Sequence, residues 1–355
     1  MRRLYHVPLA GVAYFSITVL LGVASAYRPN NLLIWAFAAM LAGVIVSGII
    51  SGGMLVRLQV TRTEPRTGRV GEPMSLRYIV RNAVRWWPLF DLSIDEAPVA
   101  GPRGWSGAGR SAPAWLLHAG PRETAHVEGM FVPMRRGRFR FEAIQAASAF
   151  PFGLLRKIVV FQQPAEVLVL PAIRSLKPGV LRLLAPQGLG GVRTTTRPGP
   201  GEDFLGVREY RPGDSPRQIA WRRRAGLDEL ATVERSTHAP PRLRVILDLT
   251  RATSMLRVAP GDDAPARARA LEEDAITLVA SLVAAADREG YEYALSLHGV
   301  DAPRTLLRRG HWHLQRLMAL LAAIDLDAPR LPRPDGDREE RAAVVHVHVD
   351  RVDLD

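Results

Sequence analysis

Two long apolar runs without a single charge open the chain, and only after them does hydrophobicity begin to alternate with polarity. Val7 to Ala26 and Leu32 to Val56 are both uncharged. Each is long enough to cross the ~30 Å hydrocarbon core of a bilayer as a helix, which takes about 20 residues. Tyr27-Arg28-Pro29-Asn30-Asn31 separates them, so residues 1–56 are predicted to form a transmembrane helical hairpin with spans 7–26 and 32–56. Ala39, Gly43, Gly48 and Gly52 supply small residues at helical spacing. Such residues let helices approach closely in lipid, either inside the hairpin or in self-association through Gly48 and Gly52.

Past residue 56 the period changes to two. Met74, Leu76, Tyr78 and Val80 alternate with polar neighbours, as does Arg138-Phe139-Arg140-Phe141-Glu142, and the apolar Glu166–Leu170 run ends at Pro171. Short alternating runs with turn signals between them predict an all-β, immunoglobulin-like sandwich over 57–171. The Gly-, Pro- and Ala-rich stretch 98–121 reads as an irregular loop. A connector over 172–241 follows, rich in Gly, Pro and Thr across 186–201. From 242 to 355 strand and helix alternate: strands near 243–249, 291–297 and 343–349, helices near 266–288 and 312–324. On the first helix Leu271, Ala275, Leu278, Leu282 and Ala286 share a face. This predicts a short Rossmann-type α/β domain with a parallel sheet.

Charge fixes an orientation. Arg2 and Arg3 precede the hairpin, Arg57, Arg62, Arg66 and Arg69 follow it, and the turn between the spans holds only Arg28. The positive-inside bias puts both chain ends and the bulk of the protein in the cytoplasm. The first run also has the outline of a cleavable signal peptide, with Ala24-Ser25-Ala26 as the cleavage site, which would leave the bulk on the same side. No cysteine occurs, so disulfides, thiolate metal sites and a cysteine nucleophile are excluded. The formal net charge is +12. It is almost all arginine, Lys157 and Lys177 being the only lysines. Between Phe131 and Val160, Arg135, Arg136, Arg138, Arg140, Arg156 and Lys157 face a lone acid, Glu142. On a membrane-tethered domain this patch suits anionic lipid at about 1 kcal/mol per nearby charge, and no nucleic-acid motif accompanies it.

The densest local pattern is Arg208-Glu209-Tyr210-Arg211-Pro212-Gly213-Asp214, followed by Arg217, Ile219 and Trp221-Arg222. Pro212-Gly213-Asp214 predicts a turn, with proline presetting φ and glycine accepting positive φ. Trp221 offers a large apolar anchor. With Arg135-Arg136-Gly137, Phe139 and Pro151-Phe152-Gly153-Leu154, this segment resembles a family of bacterial membrane proteins, domain of unknown function 58. The resemblance covers nearly the whole chain. It implies a von Willebrand A-like final domain, residence in the bacterial cytoplasmic membrane, and a MoxR-type AAA+ ATPase partner, often with a transglutaminase-like membrane protein. Two departures stand out: Ala220 where the family carries Asp or Asn before the tryptophan, and Arg224-Ala225-Gly226 where a small-Ala-Arg run is usual.

Von Willebrand A domains can hold a divalent cation through Asp-x-Ser-x-Ser at the end of their first strand. The resemblance puts Asp248 and Thr250 at the first two ligand positions for Mg²⁺, with Ala252 at the third, where no ligand atom exists. Thr253 and Ser254 are out of register, and Arg251 adds positive charge. His346, His348 and Asp350 share a strand face at a spacing that could hold Zn²⁺, although solvation of a terminal strand explains it as well. His311 and His313 do not share a helical face. No phosphate loop, nucleophile elbow or HExxH motif occurs. The expected role is therefore a non-enzymatic adaptor, membrane-anchored and cytosol-facing, with Arg208, Glu209, Tyr210, Pro212, Gly213, Asp214, Arg217 and Trp221 as interface residues. It would act with the AAA+ ATPase in assembling or remodelling complexes. The alternative is a metal-dependent hydrolase or metal-dependent ligand-binding module using Asp248.

Overall fold

A computed structural model describes residues 2–28, 30–64, 67–99, 109–184, 193–198, 204–221, 230–256, 258, 263–333 and 342–354. The chain divides into two compact units, Met1–Pro171 and Ala172–Asp355.

In the first unit, helices α1 (Leu9–Tyr27) and α2 (Asn31–Met54) are both long and apolar enough to cross a membrane. Most of their apolar side chains, including Val19, Leu20 and Trp35, are exposed rather than packed in a core. The Asn30 side chain caps α2 by accepting a hydrogen bond from the Leu32 amide at 2.9 Å. Gly22 lies under Phe37, Gly43 lies under the Tyr14 hydroxyl, and that hydroxyl donates to the Met40 carbonyl at 3.1 Å. Close packing inside the hairpin therefore uses Gly22 and Gly43. Gly48 and Gly52 instead meet a lysine: the Lys157 ammonium donates to the Gly48 carbonyl at 3.2 Å and approaches Gly52.

The rest of this unit is two sheets across one core. Strands β1 (Arg2–His6), β3 (Gly68–Arg69), β5 (Leu89–Glu96), β7 (Ala114–Ala119), β9 (Gly137–Ser148) and β10 (Arg156–Leu170) form a six-stranded sheet in the order β1-β10-β9-β5-β7, with β3 also on β10. Strands β2 (Leu58–Arg62), β4 (Met74–Asn82), β6 (Gly109–Ala112) and β8 (Thr124–Pro133) form the second, ordered β2-β4-β8-β6. All neighbours are antiparallel except β3 and β10. Strict alternation in β4 buries Leu76, Tyr78 and Val80 against Leu92, Ile94, Phe141 and Ile144 of the facing sheet. Phe131 and Phe141 meet edge to face at 5.8 Å across the core. One charged pair crosses it too. The Arg62 guanidinium reaches Glu96, whose other oxygen accepts from the Tyr78 hydroxyl at 3.0 Å, and both charges are almost wholly buried. Burial outweighs Arg62 and Tyr78 and pushes the Glu96 carboxyl above its ordinary range.

Two features depart from expectation. The residues before α1 form β1, an edge strand paired with β10 from Arg2 opposite Val160 to His6 opposite Arg156. Removing residues 1–26 would strip that edge as well as α1. Within the expected loop 98–121, β6 and β7 are ordered strands. Burial of Ala114, Leu116 and Ala119 shows an alternation that alanine-rich composition masks.

The second unit begins with a short helix, α3 (Val180–Leu184). The expected connector then contains a three-stranded antiparallel sheet of β11 (Arg193–Pro198), β12 (Phe204–Glu209) and β13 (Ala231–Ala239), ordered β11-β13-β12. Arg222, Arg224-Ala225-Gly226 and much of 186–201 lie outside the described residues. The α/β part has β14 (Arg242–Asp248), α4 (Ala264–Arg288), β15 (Glu292–His298), α5 (His311–Ala323), β16 (Ala343–His348) and β17 (Val352–Leu354). Its sheet order is β15-β14-β16-β17, parallel except for β17, which turns back antiparallel on β16. The sheet is thus mixed and not wholly parallel. Leu243–Leu247 is buried throughout, as a covered central strand requires, and the one charge within it, Arg244, donates to the Ser296 hydroxyl at 2.8 Å.

Candidate functional site

The signature segment lies in the hairpin formed by β12 and β13, and both its arms pair with β13. β12 delivers Arg208, the chain turns at Arg211-Pro212-Gly213-Asp214, and Ile219 returns to bridge Thr232 of β13. Gly213 takes φ 108°, a conformation that L side chains resist. Asp214 is the hub. Its two oxygens accept both ends of the Arg208 fork at 2.7 Å, one of them also accepts the Arg211 amide at 2.9 Å, and the Thr232 hydroxyl donates at 3.0 Å. The remaining Arg208 nitrogen, Nε, donates to Glu234 at 2.9 Å. The Arg208 fork, then the Arg211 amide and Thr232 hydroxyl, hold the Asp214 carboxyl well below the usual carboxylate range, against a smaller opposing effect of burial. With its acceptor sites filled by its own hairpin, Asp214 is a staple and not a ligand or base.

What the hairpin leaves outside is different. Glu209, Arg211, Pro212 and Arg217 are exposed, and Tyr210 is half-buried with its amide on the Leu230 carbonyl. Trp221 is 57% exposed and Phe204 67%. Together with Val207, Ile219 and Val233 they line an open apolar groove of about 860 Å³. Arg208 and Asp214 thus shape the hairpin, while Trp221 presents itself. Phe204, just outside the pattern, was not singled out by sequence; its β-strand neighbours give no hint that it faces out.

The second cluster lies where β14, β15 and β16 end. The chain leaves β14 for β15 on one side and returns with β16 on the other, a switch point of the kind at which open α/β sheets bind ligands. Asp248, His298 and His348 stand in register across the three strand ends. His348 Nδ1 is 3.4 Å from Asp248 Oδ2. The Thr250 hydroxyl and amide donate to Asp248 Oδ1 at 2.6 and 2.9 Å. Burial pulls the Asp248 carboxyl upward, but the two Thr250 bonds and the neighbouring His348 and His298 outweigh it, so the net shift is down. His346 and His348 do share a face, their rings stacked at 6.2 Å, and Asp350 turns to Arg251 at 3.5 Å. His298 is buried and was missed, because nothing in its own strand marks it; only the register with β14 does.

These residues do not fit a Mg²⁺ ion. One Asp248 oxygen is taken by Thr250 and the other faces a histidine, a poor partner for a hard cation. Ala252 supplies nothing, and the Thr253 hydroxyl is spent on the fully buried Glu272 of α4 at 2.9 and 3.0 Å. Glu272 also holds Arg330 at 2.7 Å. Among the described residues no three His, Asp or Glu side chains converge at metal-binding distance. Of the other histidines, His313 meets the Tyr293 carbonyl and His311 meets Gln315.

No family model and no curated protein matches the chain. Among solved structures it is similar to the ASH/PapD-like domain of human CEP192 (PapD-like domain 7), at 12% identity and a TM-score of 0.22. That alignment covers 32% of this chain and 86% of the other. Likeness at that level carries no functional argument.

Proposed function

We propose that this chain is a membrane-anchored, cytosol-facing adaptor without catalytic activity of its own, whose signature hairpin is a docking site for a MoxR-type AAA+ ATPase. The reading joins domain of unknown function 58 to this chain through the Arg208–Trp221 pattern and takes the sandwich as immunoglobulin-like and the α/β part as von Willebrand A-like. One observation supports it above the others: the hairpin consumes its own carboxylate internally and turns Trp221 outward beside an apolar groove. Aromatic anchors of this sort, once buried against a partner, dominate the energetics of protein interfaces. The exposed Arg211 and Arg217 beside it suit an acidic partner surface.

The test is capture of a MoxR-type ATPase by the full chain in detergent. Trp221→Ala is expected to weaken capture by about 30-fold or more, the effect of losing about 2 kcal/mol at an interface hot spot. Undiminished capture by Trp221→Ala and Phe204→Ala would sink the docking role of the hairpin.

A further inference from the structure

We propose that the helix-proximal end of the sandwich is a lipid-binding collar that beds into an anionic headgroup layer through Tyr5, Trp86 and Phe152 and the cations around them. The inference rests on the reading that α1 and α2 cross a membrane. It goes beyond that reading by naming the part of the sandwich that touches lipid.

Both ends of the hairpin join the sandwich without slack. β1 ends at His6 and α1 begins at Leu9, while α2 ends at Met54 and β2 begins at Leu58. The two junctions lead to different sheets, β1 to the six-stranded one and β2 to the four-stranded one. Met54 and Leu55 belong to the sandwich core. The loops at this end touch the helices: the Leu154 carbonyl lies against Gly11 of α1 and Trp87 against Gly53 of α2, while the Ala83 amide donates to the Arg57 carbonyl in the junction between α2 and β2. At about 1.5 Å per residue, the 24 residues of α2 span about 36 Å, some 6 Å more than the hydrocarbon core. Counted from Asn31, its last turn therefore lies at headgroup depth, alongside this end of the sandwich.

At that depth the surface has the composition of a membrane interface. Trp86 is 77% exposed and Phe152 57%, each at a loop tip. Arg85 stacks over Trp86 at 5.0 Å, and Lys157 lies 5.9 Å from the Tyr5 ring. Arg57 and Arg156 are exposed beside them. Amphipathic aromatics at the headgroup level with arginine and lysine around them are what anionic interfaces select. The arginines at 135, 136, 138 and 140 do not share this place. They lie at and beyond the start of β9, at the far end of the β10 ladder, where Val169 pairs Gly137; Lys157, at the near end, pairs Ser148. At about 3.3 Å per residue the two ends are about 40 Å apart. The basic patch of the sequence is thus two patches, and the helix-proximal one meets lipid.

The absence of cysteine makes the test direct. Trp86→Cys, Phe152→Cys, Val19→Cys in mid-α1 and Met134→Cys at the far end would each carry one nitroxide on the full chain. The chain would be reconstituted in vesicles of phosphatidylcholine and phosphatidylglycerol. Depth is read from the ratio of oxygen to nickel-chelate accessibility. The ratio is expected to be highest at 19, lowest at 134, and severalfold above the 134 value at both 86 and 152. It should fall at both loop positions in phosphatidylcholine alone. A label at 152 leaves Trp86 in place, so it reads depth even if the cysteine at 86 loosens its loop. A deep label at 19 with 86 and 152 as water-exposed as 134 overturns the collar alone and leaves that surface to a protein partner. A label at 19 in water overturns the membrane reading and the collar with it. Equal depth in both vesicle types overturns the anionic preference.

Discussion

Asp214 shows how much of a residue's role depends on partners far along the chain. Its turn was legible: Pro212 and Gly213 announce it through their φ preferences. The staple was not, because Thr232 and Glu234 come from β13, beyond the signature pattern itself. The same holds for His298, which meets Asp248 through strand register alone. The Asp214 shift carries a definite sign. A carboxyl held below its unfolded value contributes stability above about pH 4, and that contribution disappears as pH falls through the lower folded value. The gap in thermal midpoint between the native chain and Asp214→Asn is therefore expected to be full at neutral pH. It should narrow only below the ordinary carboxylate range; a gap that closes already near pH 5 would contradict the staple.

At the scale of elements, long unbroken patterns were read well and short or alanine-rich ones poorly. α1 and α2 follow from two uncharged runs, and their ends fall within a few residues of the expected spans. β1 is only five residues with two arginines at its start, and it is a strand because β10 offers it an edge. β7 buries alanines, which carry little strand signal. The docking of α1 is equally invisible in sequence. A Cβ at Gly11 would collide with the Leu154 carbonyl oxygen, a backbone atom that cannot swing aside, whereas a Cβ at Gly48 would meet nothing within 4 Å. Gly11→Leu is expected to cost about 1–3 kcal/mol through overpacking. Gly48→Leu should be near neutral, both read as thermal midpoints of the detergent-solubilised chain. Equal losses would mean that α1 does not press on the sandwich.

For the first unit as a whole, attachment at two points replaces a flexible tether. A buried ion pair, Arg62 with Glu96, locks the facing sheets together, and breaking such a pair by removing one partner costs about 3–5 kcal/mol. The helices then hold one sheet each through β1 and β2. Leu4→Pro, which takes a donor from β1, is expected to speed amide exchange at Ile158–Val160 of β10 while leaving β4 and β8 unchanged. Uniform protection across β10 in that variant would show that β1 is not part of the attachment.

The pairing of Arg2 with Val160 also sets an order of events during synthesis. β1 leaves the ribosome more than 150 residues ahead of its partner strand, on the order of ten seconds at about 5–20 residues per second. On the reading that α1 and α2 cross a membrane, both apolar runs emerge and insert within that interval, while the five-residue β1 is still unpaired. The pairing of β1 with β10 can then form only after both helices have been made. On the same reading insertion precedes closure of this sheet edge, so a chain that fails to insert would have to pair β1 with β10 without that platform.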